Sequence, residues 1–159
     1  MGSMIPEPLR LSLLAFAGAV MAQRPADFVL GGYMERWRLG QYGDAPNAYL
    51  HRFRGDDDDR ALHDHPYDNV SVVLSGGYDE HVHVEQLTVG PDGKYLTFCR
   101  RVHPGQVVER KASHFHRLTL VGGVEAISLF IPGPRTRRWG FLDPAQGWVD
   151  WEAYGRANP

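Results

Sequence analysis

One cysteine, Cys99, is all that 159 residues provide, so no disulfide can form within the chain. A reducing compartment, the cytoplasm, is the simplest expectation. An excess of either charge is also missing: the formal net charge is −2. Nothing in that balance draws the chain to nucleic acid or to an anionic membrane, and neither is expected as a partner. No apolar run is long enough to span a bilayer as a helix; the strongest, residues 9–21, is too short. No internal repeat stands out and no segment reads as a linker. Hydrophobic residues at 43% and charged residues at 23% give the profile of an ordinary globular protein. The length suits one domain with one core.

Met1-Gly2-Ser3-Met4 reads as an expression scar followed by the native start, and is set aside. The run that follows has Arg10 near its beginning and the small residue Ala22 after it, the outline of a signal peptide. The competing reading is a helix over residues 5–24 packed on the domain. Leu9, Leu13, Phe16 and Val20 share a stripe at helical spacing, Glu7 precedes it and Arg24-Pro25 ends it. The packed helix is the reading adopted.

After Pro25 the helical period disappears. Short runs rich in β-branched and aromatic residues cover 36–39, 48–54, 70–74, 78–87, 95–102, 107–109, 117–121 and 126–131. Gly76-Gly77, Gly90-Pro91-Asp92-Gly93, Pro104-Gly105 and a hairpin-like Gly122-Gly123 separate them. Many short strands at even spacing predict a mainly β sandwich or closed barrel over residues 25–159. Residues 132–151, with three tryptophans, are expected to wrap over it and bury their rings.

The strongest chemical signal is His63-Asp64-His65. Residues two apart on a strand point to one face, so both imidazoles can converge on one ion. The pair is not alone, because His116 follows Pro104-Gly105-Gln106 by one strand and a turn. His114 shares the face of His116 and competes for the same ion.

In these residues the sequence resembles the cupin superfamily. The first cupin motif is an HxH, then a carboxylate, then a glycine seven residues on. His63, His65 and Gly76 match it, while Asn69 stands at the carboxylate position and Asp57 where the opening glycine belongs. The second motif is matched by Pro104-Gly105-Gln106 and His116-Arg117, with Lys111, Ser113 and Leu120 departing from it. The chain is also similar to small bacterial and phage cupins carrying HDHP, LSGGY and GPRxRxWGF, which have no assigned substrate. The resemblance implies a double-sheet jelly roll. It implies one divalent ion, Fe(II) foremost with zinc, nickel or manganese possible, held by His63, His65 and His116. Such three-histidine shells occur in thiol dioxygenases. A neutral three-nitrogen shell leaves the ion its full charge and open positions, which suits Lewis-acid or oxygen chemistry. The expectation is a dioxygenase-type enzyme acting on a small polar or anionic molecule; the alternative is a non-catalytic cupin that binds a metal or small molecule. A homodimer paired through edge strands is expected as well.

Other residues are weighed against plainer readings. Asp68 or Asn69 could offer an oxygen ligand or orient an imidazole. Arg135, Arg137 and Arg138 with Trp139 form a basic, aromatic patch that either clamps a substrate anion or pairs with the acidic loop 56–59. Arg135, Arg137, Tyr78 and Trp139 are the candidate substrate contacts. Tyr67, Tyr95 and Phe98 could line a cavity. His81 and His83 are assigned to a solvated outer face, opposite Tyr78 and Glu80. His51 and His103 are read as structural or solvated histidines near turns, Asp56 to Asp59 as a solvated loop, and Cys99 as a small buried strand residue.

Overall fold

The structure is a computed structural model that describes residues 3–42, 45–57, 61–84, 89–90 and 92–157. Helix α1 (Glu7–Gln23) precedes twelve strands: β1 (Phe28–Leu30), β2 (Met34–Tyr42), β3 (Ala45–Phe53), β4 (Leu62–His63), β5 (Asn69–Ser75), β6 (Tyr78–His83), β7 (Thr97–Val102), β8 (Val107–Arg110), β9 (His116–Leu120), β10 (Ala126–Pro132), β11 (Gly140–Asp143) and β12 (Gly147–Asp150). A short helix α2 (Trp151–Ala157) follows. All the strands pair antiparallel in two six-stranded sheets, ordered β1-β2-β3-β10-β5-β8 and β12-β11-β4-β9-β6-β7.

The chain crosses between the sheets repeatedly, which makes this a jelly roll rather than a stack of hairpins. Strands lie in each of the expected runs, with β6 ending at His83 and β7 beginning at Thr97; positions 85–87 of the expected 78–87 lie outside the described residues. Strands β1, β11 and β12 and helix α2 had no sequence signal, being short or broken by Gly, Pro and Asp, and the strand expected to carry both His63 and His65 ends at His63. Gly122-Gly123 is not a hairpin turn: a single 3-10 turn (Val121–Gly123) carries the chain from β9 in one sheet to β10 in the other. Gly76-Gly77 and Pro104-Gly105 make two more such crossings. These corners stack closely. Gly76 has φ +73°, and a Cβ there would lie 2.2 Å from the Glu125 carbonyl oxygen.

Alternation sorts the side chains of the first sheet. Val73 faces inward with Met34, Phe53, Tyr78, Val102, Val108, Leu118 and Ala126. Val72 and Leu74 face outward, with Trp37 and Leu50, against α1. Helix α1 lies against the barrel through Leu13, Leu14, Ala17, Val20 and Met21; Leu13 and Val20 belong to the expected stripe, whereas its other two members, Leu9 and Phe16, are about half exposed. Spacings of three and four centred on Ala17 describe the packed face better, because the small Ala17 lets the helix approach. Ser3 and Met4 pair with β8: the Ser3 carbonyl accepts from the Val107 amide, and Met4 bridges Gln106. Among the described residues no helix is long and apolar enough to cross a membrane.

Two other expectations fail. Cys99 is exposed, because alternation on the edge strand β7 turns it outward. The tryptophans are not all buried: Trp148 and Trp151 are 41% and 42% exposed. Gly76→Ala should lower stability by about 3 kcal/mol, since strain at positive φ adds to a backbone clash. Gly122→Ala has φ +60° but open space around it, and should cost only about 1 kcal/mol. Denaturant midpoints of the two variants check the contrast.

Candidate metal centre and its cavity

Strand β4 is two residues long and lies between β9 and β11. His63 pairs in register with His116 on one side and Phe141 on the other. Asp64, between the histidines, points away from them and is fully buried. Its carboxylate accepts from the Gly140 amide (2.7 Å) and Trp148 Nε1 (3.1 Å), and pairs with Arg137 at 2.8 Å. Asp64 thereby fastens β11 and β12 to the short strand. His65 is set by its amide, which donates to the Ala112 carbonyl at 3.0 Å.

One ligand nitrogen each from His63, His65 and His116 lies within 4.8 Å of the others. Imidazoles at about 2.0–2.1 Å from one ion put their nitrogens about 3–4 Å apart, so small side-chain rotations would close the set. The buried His65 Nδ1 and His116 Nε2 have no hydrogen-bond partner. Unpartnered buried nitrogens are costly, and the two rings that carry them lie 5.0 Å apart. The donor set therefore fits a divalent ion.

His114 does not join this group; it falls in a second one with His116 and Glu80. Glu80 is the residue that sequence reasoning missed. It is completely buried on the inward face of β6 beside Tyr78. Its Oε1 lies 2.6 Å from His116 Nδ1 and 2.6 Å from Arg110 Nε, and Arg100 binds its other oxygen. Arg110 also donates to Ser71 Oγ and to the Tyr78 hydroxyl. Burial raises the Glu80 carboxyl, but His114, His116 and Arg110 outweigh it and hold the group far below the ordinary range. A carboxylate only accepts, so His116 carries its proton on Nδ1, and the Nε2 lone pair turns toward His63 and His65. The alternation that puts Tyr78 inward also puts Glu80 inward, which was the available signal.

Burial and the neighbouring guanidinium push the His116 imidazole down to about 3, against the pull of Glu80. Burial, with the adjacent histidines, likewise lowers His65 well below its usual value. Asp57 is not a solvated loop residue. It is buried, its carboxylate accepts from the Leu118 amide at 2.8 Å and it stands 4.0 Å from His63 Nδ1. Asp56 caps the Leu120 amide; positions 58 and 59 lie outside the described residues.

The trio lines a cavity of about 750 Å³. Tyr78, Arg135 and Trp139 line it too, as does Tyr67. Arg137 is engaged by Asp64, and Arg138 pairs with Asp150 and Glu152 rather than with the acidic loop. Trp139 and Trp151 stack in parallel, 5.7 Å apart, against the cavity. Tyr95 packs on His83, and Phe98 is 59% exposed. Asn69 is buried with both amide atoms unpartnered, and it borders a separate recess of about 480 Å³ with Lys111 and Gly133. Asp68 is spent on Lys111 and the Ala112 amide. His81 bonds Thr119 Oγ1 on the far side of β6 from Glu80, and His103 is exposed. His51, expected near a turn, instead sits buried in mid-strand on β3 and lines the cavity.

Because the folded-state values of His51, His65 and His116 lie below that of a free imidazole, the unfolded chain takes up protons near pH 6.5 that the folded chain refuses. Stability is retained above that pH and falls below it, by about 1.4 kcal/mol per pH unit for each such histidine. Asp57 and Asp64, raised by burial, offset part of this. Urea unfolding of metal-free protein at pH 7, 6 and 5 should show the decline; a constant or rising free energy would contradict neutral burial.

No protein-family model and no curated protein matches this sequence. Solved structures match by shape. A vicilin from Solanum melongena superposes with TM-score 0.52 at 16% identity, over 77% of this chain and 34% of its own. The Fe(II)-HppE structure with the alternative substrate (S)-1-HPP gives 0.53 at 15%, over 70% of this chain and 57% of its own. The DMSP lyase DddQ from Ruegeria pomeroyi gives 0.52 at 17%, over 90% and 72%. This chain thus spans about a third of the vicilin and little more than half of HppE. At such identities the likeness is one of fold.

Proposed function

We propose that this chain, which has the cupin jelly-roll fold, is a metal-dependent enzyme of the non-haem Fe(II) dioxygenase type acting on a small polar or anionic molecule. The observation that carries the reading is the convergence of His63, His65 and His116 on one point, with unpartnered buried nitrogens. These three residues would hold the ion. When bound, a divalent ion supplies Lewis acidity and, as Fe(II), access to oxygen chemistry.

The chain's own residues supply the rest. Glu80 keeps the proton on His116 Nδ1 and so keeps Nε2 available as a donor to metal. Arg110 and Arg100 keep Glu80 ionised and unable to take that proton. Aromatic side chains line the cavity beside the histidines, with Trp139 6.5 Å from the His63 ring. Arg135 stands exposed on the cavity wall, where an incoming anion would meet it first. A second reading, non-catalytic binding of a metal or small molecule, is favoured by the likeness to vicilin, since one fold serves many roles.

Metal analysis of protein purified without a metal-affinity step should find about one ion per chain. His63→Ala and His116→Ala should lose it, and His114→Ala should keep it. No ion bound, even after adding Fe(II), Zn²⁺ or Mn²⁺, would overturn the reading. Oxygen uptake by the Fe(II) form with thiols, amino acids and hydroxy acids should then show turnover. Tight ligand binding without uptake would favour the non-catalytic role.

A further inference from the structure

The wall of the cavity formed by β1, β2 and β3 carries a cation that the metal reading does not use. Arg36, on β2, lies 4.9 Å from the centre of the Tyr49 ring and 5.7 Å from that of Phe28. Its Nε donates to His51 Nε2 at 3.0 Å. His51 stacks on Phe130 at 4.9 Å, and Phe130 in turn lies 6.3 Å from the His65 ring. One phenyl ring therefore separates the Arg36–His51 pair from the histidine trio.

The charges in the cavity do not balance. Two carboxylates line it, Asp57 and Asp64, and both already accept hydrogen bonds from backbone amides. Three arginines line it, and Arg110 is neutralised by Glu80. Among the described residues no carboxylate pairs with Arg36 or with Arg135. Tyr67 lines the same cavity as both of those cations. With Nε–H given to His51, the terminal N–H groups of this half-buried guanidinium pair with no carboxylate among the described residues and are left for a ligand in the cavity that Arg36 lines. His51 cannot serve as its counter-ion, because it accepts from Arg36 and is held neutral by burial.

We propose that Arg36, with Tyr67 lining the same cavity, anchors the carboxylate of an aromatic acid, whose ring lies against Phe130 and whose other end reaches the face of His63, His65 and His116. The chemistry follows from the lining. A bidentate fork suits a planar carboxylate, and the rings around it suit a planar apolar body. A cavity of about 750 Å³ is far larger than a small amino acid needs. This narrows the substrate class of the proposed function; it rests on the cavity being a ligand site and not on the metal. Arg36 is then the group that fixes which end of the substrate enters first.

The test is a titration of the full chain with 3-phenylpropionate, followed by the fluorescence of Trp139 and Trp151 and by calorimetry. The neutral 3-phenylpropionamide and the ring-free propionate are the comparison probes. Each is run on protein as purified and after treatment with a chelator, with metal content measured in the same samples. Phenylpropionate is expected to bind at least tenfold more tightly than either comparison. Arg36→Gln should remove at least tenfold of that affinity, Arg36→Lys should remove less, and Arg101→Gln, at an exposed pair with Asp79 away from the cavity, should leave it unchanged. Arg36→Lys keeps the charge and reports even if Arg36→Gln folds poorly. Equal binding of acid and amide, undiminished binding in both Arg36 variants, or no binding by the acid would overturn the anchor. Binding that depends on Arg36 in protein unable to hold metal would keep the anchor and remove the metal reading. Metal held by the trio without acid binding would do the reverse.

Discussion

Glu80 and Arg110 form an ion pair with almost no access to water, their side chains 0% and 2% exposed. Desolvating two charges costs several kcal/mol per ion, and further hydrogen bonds to both groups offset that cost. Glu80 comes from β6 in one sheet, Arg110 from β8 in the other. Ser71, Tyr78, Arg100 and His116 complete the set. Removing one partner would strand the other charge, at about 3–5 kcal/mol. The network therefore pins the two sheets together across the interior, next to the histidines.

The same network explains why one ring of the trio is oriented so strictly. His116 has one nitrogen committed to Glu80 and the other left without a partner. His63 and His65 are positioned differently, through the backbone of β4 and its neighbours, with Asp64 tying that strand to β11 and β12. The site thus has two independent supports. One is electrostatic and reaches across the barrel; the other is a backbone ladder within one sheet.

The jelly roll was legible because its long strands, such as β5 and β10, are rich in β-branched and aromatic residues, and because glycines mark the corners. The trio was legible because two of its members are two residues apart and the third sits in a recognisable motif. What could not be read were properties of partners distant in sequence. Glu80 faces inward by alternation, but its role needs Arg110, thirty residues away. His51 and Arg36 meet only because β2 pairs with β3 in the register that sets one opposite the other. Asp57 looked like one acid in a polar run, yet Leu118 binds it from another strand. In the C-terminal stretch the tryptophans give a strong apolar signal, and the structure places two of them at a half-open surface instead.

The two-residue β4 also dictates an order of events in time. It has too few pairing groups to stand alone, and it is held by β9 on one side and by β11 on the other. During synthesis His63 and His65 leave the ribosome long before Gly140 and Phe141, which close the sheet beside them. The segment that holds the two imidazoles is thus fastened by residues supplied well after it in the chain, first Ala112 and His116 and then Gly140 and Phe141.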